Sequence, residues 1–391
     1  MSMQSNPPYF FADDCQLDDL KALTEQSLEA DQAPTASAIE KNIPIYQADT
    51  IAPILQDPAK RLSLMAEWAN ILRFSAGVIV VKGAGTNLKA IDQATKAYEQ
   101  IIAQEKEESG SKADHFAAAG SNDRIWNSLQ KLCLAEPDVF ARYFANPAIH
   151  SVCEAWLGPN YQMSAQVNLV HPGGSAQEAH RDYHLGFQTA EISSYYPAHV
   201  HDLSPVLTLQ GALAHVDMPV ESGPTKLLPF SQAYRAGYAA WRRGDFRAYF
   251  EEKYVQLPLE KGDAVFFNPA LLHAAGANGS ADIHRFVNLF QVSSAFGRAM
   301  ESIDRLAMSK ALYPALLDLK AKQTLSDEQI VASVACCAEG YSFPTNLDRD
   351  PPIGGLAPKT QQQLMLEALD AGMPVEQFEA ALDAQANRQL P

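Results

Sequence analysis

Residues 177–188 read QEAHRDYHLGFQ, and inside them sits the run HRDYH at 180–184. His180, Asp182 and His184 alternate there with Arg181 and Tyr183. A β-strand sends every second side chain to the same face, so an extended run puts the three polar groups on one face. Two of them, or all three, are then placed to hold a metal ion. The question for the rest of the chain is whether this run sits among strands, and where a further ligand comes from.

Working outward, the text from 161 onward is strand-like: YQMSAQVNLV, HRDYHLGFQ, PVLTLQGALAHVD, TKLLPF, YVQLPL, DAVFFN and IHRFVNLFQVSSAF follow one another, with Pro, Gly, Asn and Asp between them. Many short strands with turn signals predict a sandwich or barrel, interrupted by one helical insertion at about 232–252. Upstream, residues 1–50 read as irregular to helical, 58–73 as a helix, GVIVVKG (77–83) as a buried strand and 87–108 as an amphipathic helix. Gly83, Ala84 and Gly85 do not make a GxGxxG phosphate loop and read as a tight turn. SGSKADHFAAAGSND (109–123) is a polar loop, and its Lys112 and His115 are solvated or belong to a lid. NPAIHSVCEAWLGP (146–159) has Asn at the cap and Gly at the end of a helix, on which His150 and Cys153 read as packing. After 299 the text is helical again, with a Ser326/Gln329 capping box and a Pro/Gly-rich loop, FPTNLDRDPPIGGLAP, before two short closing helices. The layout is one domain over 1–391: a mostly helical part to 160, a mainly β core at 161–298 and a helical C-terminal extension from 299.

A third ligand must come from a neighbouring strand. KGDAVFFNPALLHAAGANGS (261–280) supplies one: Gly262–Asp263 makes a turn, AVFFN a buried strand, and His273 follows it. Two His and one carboxylate on one side of a metal form the facial triad of non-haem Fe(II) oxygenases, which leaves coordination positions open. A 2-oxo acid can chelate two of them and O2 can take the last. A 2-oxo dicarboxylate also needs a cation for its far carboxylate. Arg285 lies one strand later, on IHRFVNLFQV, and its planar fork matches a carboxylate bidentately.

These stretches resemble a known family, the phytanoyl-CoA dioxygenase-like Fe(II)/2-oxoglutarate oxygenases. The resemblance runs through NLVHPGG (168–174), HRD (180–182), ESGPTKLLPFSQ (221–232), KGDAVFFNPALLHAAGANGS (261–280) and Arg285, over roughly residues 160–295. HxD alone is a weak signal; HxD, then GPT, then GDxxxFxxxLLHxxGxN, then Arg, in this order, is specific. The resemblance implies a double-stranded β-helix, or jelly roll, flanked by N- and C-terminal helices. It implies His180, Asp182 and His273 on Fe(II), Arg285 on 2-oxoglutarate, and O2 as oxidant. Two positions depart from the family pattern. Pro229-Phe230-Ser231-Gln232 stands where PGSH is frequent, and Ala275 stands where a Ser often helps hold the far carboxylate. Gln166 and Asn168 on the strand before HRD, and Gln210 on the strand after it, touch the co-substrate or are hydrogen-bonded in the barrel wall. Tyr183 and His184 are candidates to line the substrate site. His199 and His201 make an HVH pair in a loop, with no third zinc ligand placed near them by sequence.

Composition bounds the function. Hydrophobic residues make up 47% and charged residues 19%, ordinary for a globular protein. The net charge of −16 argues against nucleic acid and anionic membrane as partners, since both select clustered Lys and Arg. It argues equally against a polyanionic acyl-CoA, unless Arg242, Arg243 and Arg247 form a local patch. No apolar run reaches the ~20 residues of a membrane helix, and the N-terminus lacks the pattern of a signal peptide. Five cysteines, an odd number without CxxC, read as buried thiols of a cytoplasmic protein. The expected activity is hydroxylation or another oxidation of a C–H in a small organic substrate, releasing succinate and CO2. Asp182 argues against halogenation. The alternatives are a jelly-roll oxygenase that uses no 2-oxoglutarate and a non-catalytic binding protein with a vestigial site. The C-terminal helices and the 341–358 loop either cover the pocket or join two copies in a homo-oligomer.

Overall fold

The computed structural model describes residues 7–109 and 121–391; Lys112 and His115 lie outside the described residues. Among the described residues ten strands form: β1 (Ala38–Glu40), β2 (Ile43–Gln47), β3 (Val78–Lys82), β4 (Asn122–Ile125), β5 (Gln162–Val170), β6 (Thr208–Ala214), β7 (Lys226–Leu227), β8 (Ala264–Phe267), β9 (His273–Ala274) and β10 (Arg285–Ser293). Eight of them make one sheet in the order β1-β2-β3-β8-β6-β10-β5-β4. A second, shorter layer is built from β7 and β9, paired antiparallel with Leu227 opposite His273. Bridges from His273 to His180 and from Leu227 to Val255 extend it on both sides. Following the chain, β5 lies in the large sheet, the 180 segment in the small one, β6 in the large, β7 and Val255 in the small, β8 in the large, β9 in the small and β10 in the large. That alternation is the double-stranded β-helix expected from the sequence.

The β core has more strands than its text announced. Residues 38–47, read as irregular to helical, form a hairpin whose two-residue turn, Lys41–Asn42, has φ of 51° and 66°. Positive φ at both positions matches the twist of the flanking strands. A three-residue strand and Pro44 hide the alternation, while Ile43 through Tyr46 are all buried. β2 then runs parallel to β3, and β3 antiparallel to β8, so the helical N-terminal part also supplies an edge of the large sheet. Conversely, YVQLPL makes only bridges, at Val255 and Leu259.

The described chain divides into two compact units, one of residues 7–84, 121–123 and 168–289, the other of 85–109, 124–167 and 290–391. In the first, Ala179, Leu228, Leu272 and Ala274 pack with Phe10, Leu20, Phe246 and Phe250. This cluster takes the residues flanking His180 and His273, which leaves the two imidazoles for the opposite face. The helical insertion at 232–252 appears as helices Gly237–Ala240 and Gly244–Lys253. The second unit is mainly helical. Asn146 caps helix Pro147–Leu157 by accepting from the Ile149 N–H at 3.1 Å, and Ser326 and Gln329 make the expected capping box. Tyr313 stacks on Phe378 at 3.9 Å between ring centroids. All five cysteines are buried free thiols. No helix among the described residues is long and apolar enough to cross a membrane.

Candidate metal centre

The centre starts from backbone pairing. His180 N–H donates to the His273 carbonyl at 3.0 Å, and His273 N–H to the His180 carbonyl at 3.2 Å. Two residues exchanging both bonds stand directly opposite each other, and here their imidazole centroids are 4.4 Å apart. Asp182, two residues on, faces the same way. Its Oδ1 is 3.6 Å from His180 Nε2, and its Oδ2 is 3.5 Å from His273 Nε2. The three donor atoms all lie within 4.8 Å of one another.

Which nitrogen carries each proton follows from the other side of each ring. His180 Nδ1 lies 2.8 Å from the Glu178 carbonyl, and His273 Nδ1 2.8 Å from the Leu271 carbonyl. A carbonyl only accepts, so each Nδ1 carries a hydrogen, and the neutral form of each ring presents its lone pair at Nε2. Burial pushes the His180 imidazolium pKa down, which keeps that ring neutral. Burial acts to raise the Asp182 carboxyl, but the facing His180 and His273 rings, when protonated, and the Gln210 amide overturn it and hold the group well below the usual carboxylate range. Two lone pairs and one carboxylate thus converge with no donor of their own between them. This is the donor set of a divalent cation, and it suits Fe(II).

Neighbouring residues hold the three in place. Gln210 Nε2 donates to Asp182 Oδ2 at 2.5 Å. Phe267, opposite Gln210 in the β6–β8 register, sets its ring 4.8 Å from that of His273. Arg181 points away from the centre and is 2% exposed. Its Nη2 donates to the Ser231 carbonyl at 2.5 Å, and its guanidinium lies 5.4 Å from the Tyr238 ring centroid. Tyr238 in turn donates to the Asp182 carbonyl at 3.2 Å. Gly237 makes this possible, because a Cβ there would sit 1.9 Å from Arg181 Cζ. The sequence reading passed over Arg181 and Tyr238; the signal available was a charged residue at the core-facing parity between the two ligand candidates.

The extended reading of HRDYH ends at Asp182. Tyr183 and His184 have φ of 64° and 43°, and a 3-10 turn runs from His184 to Phe187. The turn puts Leu185 into a small cluster with Tyr238 and Ala270. His184 therefore leaves the ligand face, and its Nδ1 lies 3.1 Å from Ser204 Oγ. Tyr183 is 2% exposed, its ring 6.1 Å from those of His184 and Phe187. The HVH pair is not in a loop but on helix Ala198–Leu203, with the His201 ring bonded to the Ser193 carbonyl.

Arg285, the first residue of β10, is 4% exposed. Its Nη1 donates to the carbonyls of Ser222 and Gly276, both at 3.0 Å. Among the described residues no carboxylate pairs with it, and burial alone pulls its pKa down to about 10. A buried guanidinium without a counter-charge is a ready anion site. Of the other candidates, Asn168 Oδ1 accepts from Asn122 Nδ2 at 3.1 Å. Gln166, in the second unit, accepts from Arg124 Nη1 at 3.3 Å and sets its Nε2 3.5 Å from Met300 Sδ. His284 turns away from Arg285 and meets His171 at 2.9 Å, Nδ1 to Nδ1.

Over 144 residues, 36% of this chain and 45% of the relative, the chain is 28% identical to "Dioxygenase andF" of Emericella variicolor. Over 163 residues, 39% of this chain and 46% of the relative, it is 25% identical to "Phytanoyl-CoA dioxygenase, peroxisomal" of Rattus norvegicus. The chain thus spans less than half the length of these curated relatives. Among solved structures, the non-heme alpha ketoglutarate dependent epimerase SnoN from nogalamycin biosynthesis aligns over 61% of this chain and 82% of its own, at 21% identity and a TM-score of 0.43. The family model for phytanoyl-CoA dioxygenase (PhyH) matches residues 75–286, more than half of the chain, from just before β3 to just after Arg285. The chain belongs to the phytanoyl-CoA dioxygenase (PhyH) family.

Proposed function

We propose that the protein is an Fe(II)/2-oxoglutarate-dependent dioxygenase that oxidises a C–H of a small organic substrate, with succinate and CO2 as co-products. The observation that carries this reading is the convergence of His180 Nε2, His273 Nε2 and the Asp182 carboxylate, each ring held through its Nδ1. In this reading His180, Asp182 and His273 hold the iron. Bound there, iron supplies activation of O2 coupled to oxidative decarboxylation of 2-oxoglutarate. Arg285 grips the far carboxylate of 2-oxoglutarate, and its burial makes that contact strong because water does not compete. Phe267 keeps the His273 side of the centre apolar, which limits water near the reacting atoms.

The basic residues weighed for acyl-CoA are engaged within the protein. Arg243 pairs with Asp245 and Arg247 with Glu178, while Arg242 donates to the Gly186 and Gln188 carbonyls. This supports a small substrate over a polyanionic thioester.

The test is succinate formation by purified protein with Fe(II), O2 and a metabolite library, with and without 2-oxoglutarate. Substrate-stimulated succinate that disappears in Asp182→Ala is expected. Turnover that ignores 2-oxoglutarate would instead indicate a jelly-roll oxygenase without that co-substrate.

A further inference from the structure

We propose that Gln210 is a positioning residue that restricts Asp182 to one metal-binding oxygen; the proposal rests on the metal centre of the preceding section. A carboxylate can ligate through one oxygen or both. Gln210 Nε2 occupies Oδ2 at 2.5 Å, while Oδ1 faces His180 Nε2 and, among the described residues, accepts no hydrogen bond. The amide cannot be reversed, because that would set its carbonyl oxygen against a carboxylate oxygen, two acceptors without a hydrogen. The Gln210 N–H takes one lone pair of Oδ2 and draws on its charge, so chelation through both oxygens is disfavoured and Oδ1 is the better donor. Asp182 therefore offers Oδ1.

The consequence is a count of coordination positions. Three one-atom ligands on a six-coordinate ion leave three positions free. A chelating 2-oxo acid takes two and O2 one, whereas a two-oxygen Asp182 would leave one too few.

Two further observations separate this role from simple packing. Gln210 Oε1 is buried and, among the described residues, has no partner. An orphaned buried acceptor costs stability, so the amide is a poor choice for the fold alone. Gln210 also shares its face of β6 with Ala212 and Ala214, and its register partner Phe267 supports His273. One antiparallel pair thus steadies two of the three ligands, beside small side chains that leave room.

The experiment titrates metal-free wild type, Gln210→Met and Asp182→Ala with Co(II), reading affinity and the visible d–d spectrum. Metal-free melting temperatures are recorded alongside. Gln210→Met is expected to weaken Co(II) binding about 10–100-fold, as for other groups that orient a metal ligand. Its d–d bands change, and its metal-free melting temperature falls only modestly, because loss of the orphaned acceptor offsets the donor removed from Asp182. Difference infrared spectra of wild type carrying 13C-aspartate, with and without metal, need no variant and are expected to show the widely split carboxylate stretches of one-oxygen ligation. Unchanged affinity and bands in Gln210→Met, with binding still lost in Asp182→Ala, overturn the role of Gln210 alone. Narrowly split, two-oxygen stretches do the same. Wild type that takes up no Co(II) overturns the metal centre and this proposal with it.

Discussion

Arg285→Gln isolates the co-substrate clamp. Burial lowers the Arg285 pKa from 12.5 to about 10, which at ~1.4 kcal/mol per unit is ~3 kcal/mol spent holding a bare charge inside the protein. Its Nη1 already donates to the Ser222 and Gly276 carbonyls, so the rest of the fork serves the incoming anion. Two charge-assisted hydrogen bonds contribute about 1.5–3 kcal/mol each. Replacing the guanidinium should therefore weaken 2-oxoglutarate about 10²–10⁴-fold. The assay is an anaerobic titration of the Fe(II)-loaded protein with 2-oxoglutarate, following the visible band of the chelate. Pyruvate is the control, since it has the chelating end and lacks the tail, so wild type and variant should bind it alike. The folded state should tolerate the change, because the charge that was costly to bury leaves with the lost bonds. A variant that binds 2-oxoglutarate within about threefold of wild type would refute the clamp. Equal losses for 2-oxoglutarate and pyruvate would show general damage instead.

Two further outcomes follow from the geometry. His184→Ala should leave metal affinity within about threefold of wild type, because the 3-10 turn takes His184 off the ligand face; loss of Co(II) binding by titration would restore the extended reading of HRDYH. Asp263→Ala should cost about 2–4 kcal/mol in denaturant unfolding, because a 3% exposed carboxylate accepts from Lys82 Nζ, Gly83 N and Glu260 N at 2.7–2.8 Å and its loss strands those donors. A loss below about 1 kcal/mol would show that the Gly262–Asp263 turn does not pin β3 to β8.

The candidate site was legible because its motifs are local. HxD on an extended segment, GD-turn-strand-His, and an Arg on the next strand each fit within a few residues, and β-structure turns such spacing into a shared face. The 38–47 hairpin was not legible, since three-residue β1 is too short to show a period. The path after Asp182 was not legible either. Alternation in HRDYH predicts a strand through His184, but the burial of Leu185 against Tyr238 and Ala270 outweighs the local pattern. No single-sequence rule weighs a contact between residues 53 positions apart, such as 185 and 238, against a five-residue alternation.

By itself, the sequence determined a β core of sandwich or barrel class, the order of the motifs whose resemblance implied the jelly roll, and the candidate residue types for the centre, because strand periodicity and side-chain chemistry are properties of short stretches. Only the tertiary structure decided which face each residue takes where the strand stops, which oxygen of Asp182 is engaged by Gln210, and that Arg285 is buried without a counter-charge. Those outcomes depend on backbone pairs and packing partners brought together from distant parts of the chain, and their energies exist only once the fold has closed around them.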